Sequence, residues 1–307
     1  MGLTAPSNRS TFSPTTVPSG AVPTQEGITM TSNAYSLNTT GTTAGLGREI
    51  RLRRLFGLDG RTVTVALDQA VPRGVSPRLA SMASTFAAIS EGRPDAVTIT
   101  KGIAGHVFGG NPAPIPWILK ASMFSVDFHP TYDATIATVQ DALRLGADGI
   151  AVGISAGSSN QVAMLEMLTK VVEEAHQWGI PVVCHAYPSG ELWGDKKGST
   201  ESVLYASRAA AELGTDIVKT WYTGSADEFR TVVEGTPAIV VAAGGAPVSN
   251  PRDVLEQAAA VIEAGGHGMT AGRNVWGAQD PAKMVRALKA VIHDGASPAD
   301  AEKLLTN

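Results

Sequence analysis

The sequence is poor in the features that mark several classes of protein. Cys184 is its only cysteine, so no disulfide can form within it, and a reducing cytoplasm is the expected location. No apolar run approaches the length of a membrane span. The formal net charge is -4, which argues against nucleic acids or anionic membranes as partners held by bulk electrostatic attraction. These absences favour a partner that is a small molecule.

Residues 1–45 differ in composition from the rest of the chain. They are rich in Ser, Thr, Pro, Asn and Gly, and Arg9 and Glu26 are their only charged residues. They lack the basic stretch and apolar core of a secretory signal. The composition predicts a flexible tail, or an arm that lies on a neighbouring subunit. Residues 46–307 are then predicted to form one folded domain.

After Arg48 the chain alternates between short apolar segments and amphipathic stretches. Asn250-Pro251 and Asp280-Pro281 mark two helix starts, because a capping side chain precedes a proline in each. Near-continuous apolar segments are typical of parallel strands that helices cover on their outer face. Eight such strand–helix units predict an α/β fold, a single (β/α)8 TIM barrel, with a doubly wound open sheet as the alternative.

The predicted strands are Thr62–Asp68, Asp95–Lys101, Trp117–Ser122, Gly149–Ile154, Pro181–Tyr187, Asp216–Trp221, Pro237–Ala243 and His267–Gly272. The weakest unit is residues 102–116, which are rich in Gly and Pro and show no clear helix. Active sites of such barrels gather at the C-terminal ends of the strands. The polar and glycine positions found there are Asp68, Lys101, Tyr187, Lys219, Gly244, Gly245, Gly272, Arg273 and Asn274.

Lys219 lies within the sixth apolar segment. Burying an ammonium group is costly, so the pKa of a buried lysine tends to fall. The neutral amine is a nucleophile that forms Schiff bases with carbonyl compounds. A second charged amine in the bore, from Lys101 or Lys120, would lower that pKa further, and the sequence does not say which of them faces inward. The alternative is a lysine whose stem packs while its ammonium pairs with a carboxylate.

Two glycine-bearing turns follow the seventh and eighth strands, where barrels of this type usually bind phosphate. Gly244, Gly245 and Gly272 let backbone N–H groups approach an oxyanion closely, and Arg273 can grip phosphate oxygens. The alternative is that the glycines only form tight turns and that Arg273 pairs with a carboxylate. Tyr187 and Asp68 are candidates for the proton transfers that imine chemistry needs, or else an aromatic plug and a loop cap.

Four histidines, His106, His129, His185 and His267, were considered as ligands of a catalytic zinc. No pair has a compact ligand spacing, and His267 begins the eighth strand, at the opposite end of the barrel from the site. The sequence therefore predicts no metal and no cofactor.

Four motifs resemble those of archaeal-type class I fructose-bisphosphate aldolases. They lie in that family's order and are Arg51-Leu-Arg-Arg-Leu-Phe56 with Val65-Ala-Leu-Asp68, Tyr187-Pro-Ser-Gly190, Asp216-Ile-Val-Lys-Thr-Trp-Tyr-Thr-Gly224 and Ala271-Gly-Arg-Asn-Val-Trp276. The resemblance implies that Lys219 forms the imine, that Tyr187 is the general acid and base, and that Asp68 orients substrate hydroxyls or assists proton transfer. It also implies phosphate binding at the two turns and a homo-oligomer, often a decamer. Related enzymes include aminodideoxyheptulosonate synthases and phospho-autoinducer thiolases.

Three positions depart from the family pattern: Gln69-Ala70 replaces His-Gly, His185 replaces Trp, and Ser189 replaces Arg. All lie at the barrel mouth, so one end of the substrate is expected to differ, with His185 and Lys101 among its contacts. The predicted function is that of a metal-independent class I aldolase acting on a small phosphorylated ketose or ketone. The alternatives are a thiolase or transaldolase using the same imine, an aminodideoxyheptulosonate-synthase-like enzyme, a zinc-dependent aldolase, and a phosphosugar-binding barrel without turnover.

Overall fold

The structure is a computed structural model that describes residues 43–109, 115–125 and 129–306. Most of the predicted N-terminal tail, residues 1–42, lies outside the described residues. The strands are β1 (Thr62–Ala66), β2 (Ala96–Ile99), β3 (Trp117–Lys120), β4 (Ser122–Ser125), β5 (His129–Thr135), β6 (Gly149–Ser155), β7 (Val182–Tyr187), β8 (Ile217–Thr220), β9 (Ile239–Ala243) and β10 (Gly268–Ala271).

The longer helices are α1 (Thr43–Leu55), α4 (Met82–Glu91), α5 (Lys101–Val107), α6 (Val139–Leu145), α7 (Gln161–Gln177), α8 (Thr200–Glu212), α9 (Ala226–Glu234), α10 (Pro251–Glu263), α12 (Pro281–Ile292) and α13 (Pro298–Thr306). The short ones are α2 (Ala70–Arg73), α3 (Pro77–Ala80), α11 (Arg273–Trp276) and a 3₁₀ helix at Glu191–Lys196. As predicted, Asn250 and Asp280 cap α10 and α12, because their side chains accept from Arg252 and Lys283 N–H groups. None of the described helices has the length and apolar character needed to cross a bilayer.

Eight parallel strands close into a barrel in the order β1-β10-β9-β8-β7-β6-β3-β2. Closure is direct, since β1 pairs with β10 on one side and with β2 on the other. The prediction of a (β/α)8 barrel is confirmed, and each of the eight predicted segments contains one of these strands. The alternative of an open, doubly wound sheet is wrong, because such a sheet would leave two edges unpaired.

The strand pair β4–β5 and helix α5 were not predicted. β4 and β5 form an antiparallel pair between the third and fourth barrel strands. β4 continues almost directly from β3. The Ser122 hydroxyl accepts from Gly153 N–H at 2.7 Å, which connects the start of the β4–β5 pair to β6.

Helix α5 lies in the segment in which no helix was predicted. Its two glycines lower its intrinsic stability, and packing of the following Phe108 against Phe86 and Trp117 compensates.

Helix α1 closes the N-terminal end of the barrel. Its Leu52 and Leu55 are buried and belong to the apolar cluster that fills the lower bore. The other buried members of that cluster are Ala96, Ile118, Ala151, Val183, Ile217, Ile239 and Val241. Filling this end with apolar side chains leaves the opposite, C-terminal end as the open mouth of the bore.

Three arginines fasten α1 to the rim of the barrel. Arg48 pairs with Asp216, Arg51 donates to the Gly179 carbonyl at 2.9 Å, and Arg54 donates to Asp148 at 3.2 Å. Their spacing of three residues places them on one side of the helix. The partners Asp216, Gly179 and Asp148 lie shortly before β8, β7 and β6. One helix therefore contacts three neighbouring strands at their N-terminal ends.

A repeated hydrogen-bond pattern stabilises the same rim. Asp95, Asp148 and Asp216 each precede a strand and accept from a backbone N–H at the start of the neighbouring strand, at 2.7, 3.2 and 2.8 Å. The backbone N–H of each returns a bond to the carbonyl of that same neighbour, and His267 N–H makes the equivalent bond to Val240. His267 therefore lies at the N-terminal end of the barrel, as the sequence predicted.

Asp95 also belongs to a charged network with His293. The imidazole of His293 contacts Asp95 at 2.8 Å through Nε2 and Asp59 at 2.9 Å through Nδ1, while Lys289 donates to Asp95 at 2.7 Å. The hydrogen bond to Asp95 raises the pKa of His293, against the effect of burial. Burial acts to raise the pKa of Asp95, but its bonds from His293, Lys289 and Val63 outweigh that effect and lower it.

These shifts predict a pH-dependent contribution to stability. A raised folded-state pKa for His293 stabilises the protein below the ordinary histidine pKa, and the contribution is lost as the pH rises through the folded-state pKa. A lowered pKa for Asp95 stabilises it above the ordinary aspartate pKa. We expect His293→Gln to reduce the free energy of unfolding by about 2 kcal/mol at pH 6 and by less at pH 9, measured by urea unfolding. His106→Gln, at an exposed position, is the control, and an equal loss at both pH values would contradict the prediction.

Candidate active site

Lys219 is buried in the bore of the barrel. Its residue is 6% exposed, and it is paired in register with His185 on β7 and Val241 on β9. Burial lowers the pKa of Lys219, the Asp68 carboxylate acts to raise it, and the Arg273 charge adds to the lowering. A larger share of the amine is therefore neutral near physiological pH than for an exposed lysine. The alternative was an ammonium paired with a carboxylate, and within the described residues no salt bridge joins Lys219 to one.

Tyr187 lies at the C-terminal end of β7, above His185. Burial raises the pKa of its phenol, and the negative charge of Asp68 raises it further. The ring stacks on Trp221 with centroids 5.8 Å apart and lies 6.1 Å from the His185 ring. The phenol therefore keeps its proton over the physiological range. Because Asp68 acts on both Lys219 and Tyr187, the three predicted catalytic side chains share one electrostatic site.

The two glycine-bearing turns follow β9 and β10. Two of their glycines leave no room for a Cβ, and the third has a positive φ. A Cβ on Gly244 would lie 2.8 Å from Ala271, and one on Gly272 would lie 2.9 Å from the Ala66 carbonyl oxygen. Gly245 has a φ of 69°, in the left-handed region that favours glycine. The turns therefore require glycine for their shape, and this shape leaves their backbone close to the mouth.

Arg273 begins the short helix after β10 and donates to the Gly245 carbonyl at 2.7 Å. Within the described residues, no ion pair joins it to a carboxylate. Burial lowers the pKa of Arg273, and the positive charge of Arg73 on α2 adds to this effect. Two guanidinium groups are thus held near each other, an arrangement that an anion would stabilise. Arg73 was not predicted, because it lies beyond a loop whose path the sequence does not reveal.

Asn274 was predicted to lie at the strand ends, but no role was predicted for it. It is buried, and its Nδ2 donates to the carbonyls of Gly244 at 2.7 Å and Ala246 at 2.9 Å. Its Oδ1 accepts from Val248 N–H at 3.0 Å. One side chain thereby joins the turn after β10 to the turn after β9. Asn274 belongs to the motif Ala271-Gly-Arg-Asn, and its place there is the sequence signal that could have indicated its role.

The two candidate second lysines behave differently. Lys101 is the first residue of α5, is half exposed, and donates to Asp141 at 3.2 Å, so its side chain is turned towards α6 and away from the bore. Lys120 is 2% exposed on β3, and its charge acts on His185. Lys120, and not Lys101, therefore faces the bore, so the expectation that Lys101 lies at the site is corrected. The alternation of side chains along a strand separates the two, since Lys120 shares the inward face with Ile118.

The positions that depart from the family pattern surround the mouth. Gln69 lines a cavity of about 310 Å³ together with Ser76, Arg273 and Asn274. The Ser189 hydroxyl lies 2.6 Å from that of Ser155. His185 is 4% exposed, and burial together with the charges of Lys219 and Lys120 holds the pKa of its ring well below the ordinary value.

The histidines considered as zinc ligands are dispersed. His106 is exposed on α5, His185 lies in the bore, and His267 lies at the opposite end of the barrel. The side chain of His129 is outside the described residues. Among residues 43–109, 115–125 and 129–306, no three His, Cys, Asp or Glu side chains converge on a common point.

This chain is similar in sequence to known aldolases. The family model described as "DeoC/LacD family aldolase" matches residues 62–278. A Halobacterium salinarum fructose-bisphosphate aldolase class 1 is 33% identical over 256 residues, which cover 79% of this chain and 94% of that protein. A 2-amino-3,7-dideoxy-D-threo-hept-6-ulosonate synthase from the same species is 32% identical over 254 residues, covering 82% of this chain and 94% of that protein.

A solved structure gives a comparison in three dimensions. It is an archaeal fructose-1,6-bisphosphate aldolase with its catalytic lysine covalently bound to the carbinolamine intermediate of its substrate. It is 28% identical to this chain, covers 80% of this chain and 99% of its own, and superposes with a TM-score of 0.73. The similarity therefore extends over the barrel and beyond any single motif.

The hydrogen bonds of Asn274 lead to a prediction. In Asn274→Ala the buried Gly244 carbonyl, the Ala246 carbonyl and the Val248 N–H lose their partner, so we expect faster hydrogen exchange at residues 244–248 and a free energy of unfolding lower by about 2 kcal/mol. Hydrogen exchange with mass spectrometry and urea unfolding measure the two effects. Asn160→Ala is the control, because Asn160 is exposed and its side chain caps no helix N–H. Unchanged exchange at residues 244–248 would show that Asn274 does not hold the two turns together.

Proposed function

The chain belongs to the DeoC/LacD family of aldolases, and we propose that its class I, Schiff-base chemistry is carried by Lys219 and acts on a small phosphorylated ketose or ketone. The observation that carries this proposal is the buried Lys219 amine, whose pKa is lowered by burial. It lies within the electrostatic reach of Asp68 on one side and Arg273 on the other. A neutral amine at that place can attack a carbonyl carbon that enters through the mouth.

The reaction steps follow from these side chains. Lys219 Nζ adds to the ketone carbon to give a carbinolamine, which takes up a proton and loses water to leave a protonated imine. The Asp68 carboxylate accepts a proton from the neighbouring carbon, which gives an enamine whose carbon then attacks the aldehyde carbon of a second substrate. Tyr187 donates its proton to the aldehyde oxygen as the new C–C bond forms, and cleavage is the reverse. Water finally hydrolyses the imine and restores the amine, and the proton held by Asp68 returns to the Tyr187 oxygen.

Asp68 has a supporting role in this proposal. Its charge opposes the lowering of the Lys219 pKa and raises that of Tyr187. A carboxylate placed there stabilises the protonated imine and keeps the phenol in its acid form, in which it can donate a proton. It can also accept a hydrogen bond from a substrate hydroxyl.

We place the substrate phosphate at the two turns. Gly244, Gly245 and Gly272 bring backbone close to the mouth, Arg273 has no carboxylate partner within the described residues, and Arg73 adds a second positive charge. Like charges held together are unfavourable unless an anion neutralises them. A phosphate bound here would put the phosphorylated end of the substrate over β9 and β10 and its carbonyl carbon next to β8.

A synthase reaction is the second candidate. The relative named 2-amino-3,7-dideoxy-D-threo-hept-6-ulosonate synthase is as similar to this chain as the fructose-bisphosphate aldolase. Both reactions fit an imine at Lys219, so they are separated by identifying the products from different aldehyde acceptors.

Assembly as a homo-oligomer and a cytoplasmic location stay predictions, testable by light scattering and cell fractionation.

The imine predicts a covalent adduct. With dihydroxyacetone phosphate as the probe, borohydride is expected to reduce the imine and fix the ketone on Lys219, as read by intact mass and peptide mapping. Lys219→Ala should lose both the adduct and aldol turnover. Lys101→Ala is the matched control and should keep both, because Lys101 is half exposed and paired with Asp141. An adduct that persists in Lys219→Ala, on Lys120 for example, would overturn the proposal.

The proton donor is tested separately. Tyr187→Phe keeps the ring that stacks on Trp221 but removes the phenolic proton, so we expect kcat to fall by roughly 10²–10⁴-fold while adduct formation at Lys219 continues. Tyr222→Phe is the control, since Tyr222 packs against Phe229 outside the site. A kcat that equals the wild-type value would remove Tyr187 from this role.

A further inference from the structure

His185 lies beside Lys219 on the wall of the bore. The two residues are paired in register between β7 and β8, so their side chains leave the same face of the sheet about 5 Å apart. His185 is 4% exposed, and its Nε2 atom has no hydrogen-bond partner among the residues that the structure describes. A buried polar atom without a partner is uncommon in folded proteins. A ligand group that enters the bore would supply the partner.

The charge state of His185 fits a hydrogen-bonding role. Burial and the neighbouring charges of Lys219 and Lys120 keep its pKa low, so the ring is neutral near pH 7. A neutral imidazole has one nitrogen that donates and one that accepts, so Nε2 can meet a hydroxyl in either tautomer. A neutral ring also does not repel the positive charge of a protonated imine on the adjacent strand.

The order of the strands fixes the direction of the substrate. The phosphate turns follow β9 and β10, Lys219 is on β8, and His185 and Tyr187 are on β7, in that order around the barrel. A ketone with its phosphate at the turns and its carbonyl carbon on Lys219 would extend its other substituent towards β7. In that orientation His185 lies on the side of the imine carbon that is away from the phosphate.

We propose that His185 is a specificity-determining residue: its Nε2 atom hydrogen-bonds a polar group on the carbon next to the imine carbon, on the side away from the phosphate. Ketones that offer such a group satisfy Nε2, whereas ketones with a methyl group there leave it buried without a partner. This inference rests on the proposed function, because it needs both the imine at Lys219 and the phosphate near Arg273.

Two ketones that differ only in this group provide the test. Dihydroxyacetone phosphate has a hydroxyl on the far carbon, and hydroxyacetone phosphate has a hydrogen in its place. The measured quantity is the ketone concentration that gives half-maximal borohydride trapping on Lys219. In the wild type we expect this concentration to be at least about tenfold lower for dihydroxyacetone phosphate. In His185→Phe and His185→Leu the ratio should fall towards one, and His185→Gln, which keeps a polar group, should retain part of it.

Ser207→Ala is the matched control. The Ser207 hydroxyl is also buried without a partner among the described residues, but it lies on α8, outside the bore, so the ratio should stay at the wild-type value. A wild-type ratio near one, or a ratio that survives in a folded apolar variant, would overturn the inference while leaving the imine chemistry intact. If neither ketone labels Lys219 in the wild type, the proposed function fails as well. Two apolar variants of different shape are used so that misfolding of one leaves the other to decide.

Discussion

Removal of water from around the Lys219 amine is the constraint on which the rest of this structure depends. An amine in water keeps its proton at neutral pH, and only a site with few water contacts makes the neutral form accessible. Such a site needs a bore that is closed at one end. Leu52 and Leu55 of α1 provide that closure by joining the apolar cluster of the lower barrel. The bonds of Arg48, Arg51 and Arg54 to the rim hold the helix in place, so residues far from the mouth determine the state of the amine.

Positive charges outnumber negative charges among the side chains above the apolar cluster of the lower barrel. Asp68 is the carboxylate that acts on Lys219, while Arg273 adds positive charge. Because Asp68 raises the pKa of Tyr187 as well, a single negative charge has two effects: it favours the protonated imine and preserves the proton of the phenol. The surplus of positive charge matches a substrate that brings its own phosphate. Binding and proton transfer are thus coupled through the same few charges.

The sequence predicted those parts of the fold that repeat and missed those that depend on a single contact. Eight apolar segments identify eight strands because each must be buried on both faces. The β4–β5 pair and α5 gave no such signal, since the first depends on the Ser122–Gly153 bond and the second on the aromatic contacts of Phe108. Lys101 and Lys120 show the same limit within the site. Both lie at or near the end of a predicted strand, and only the strand boundary and the alternation along β3 decide which one faces the bore.

The two halves of the mouth are built differently. Beside β9 and β10 the shape comes from backbone turns, which Gly244, Gly272 and the bonds of Asn274 hold in place. Beside β7 and β6 it comes from the side chains of His185, Ser155 and Ser189. A substitution in the first half disturbs the turns themselves, because a Cβ has no room there. A substitution in the second half alters only a contact, so change of substrate is expected to proceed through β7 and β6 while the phosphate end and the imine stay as they are.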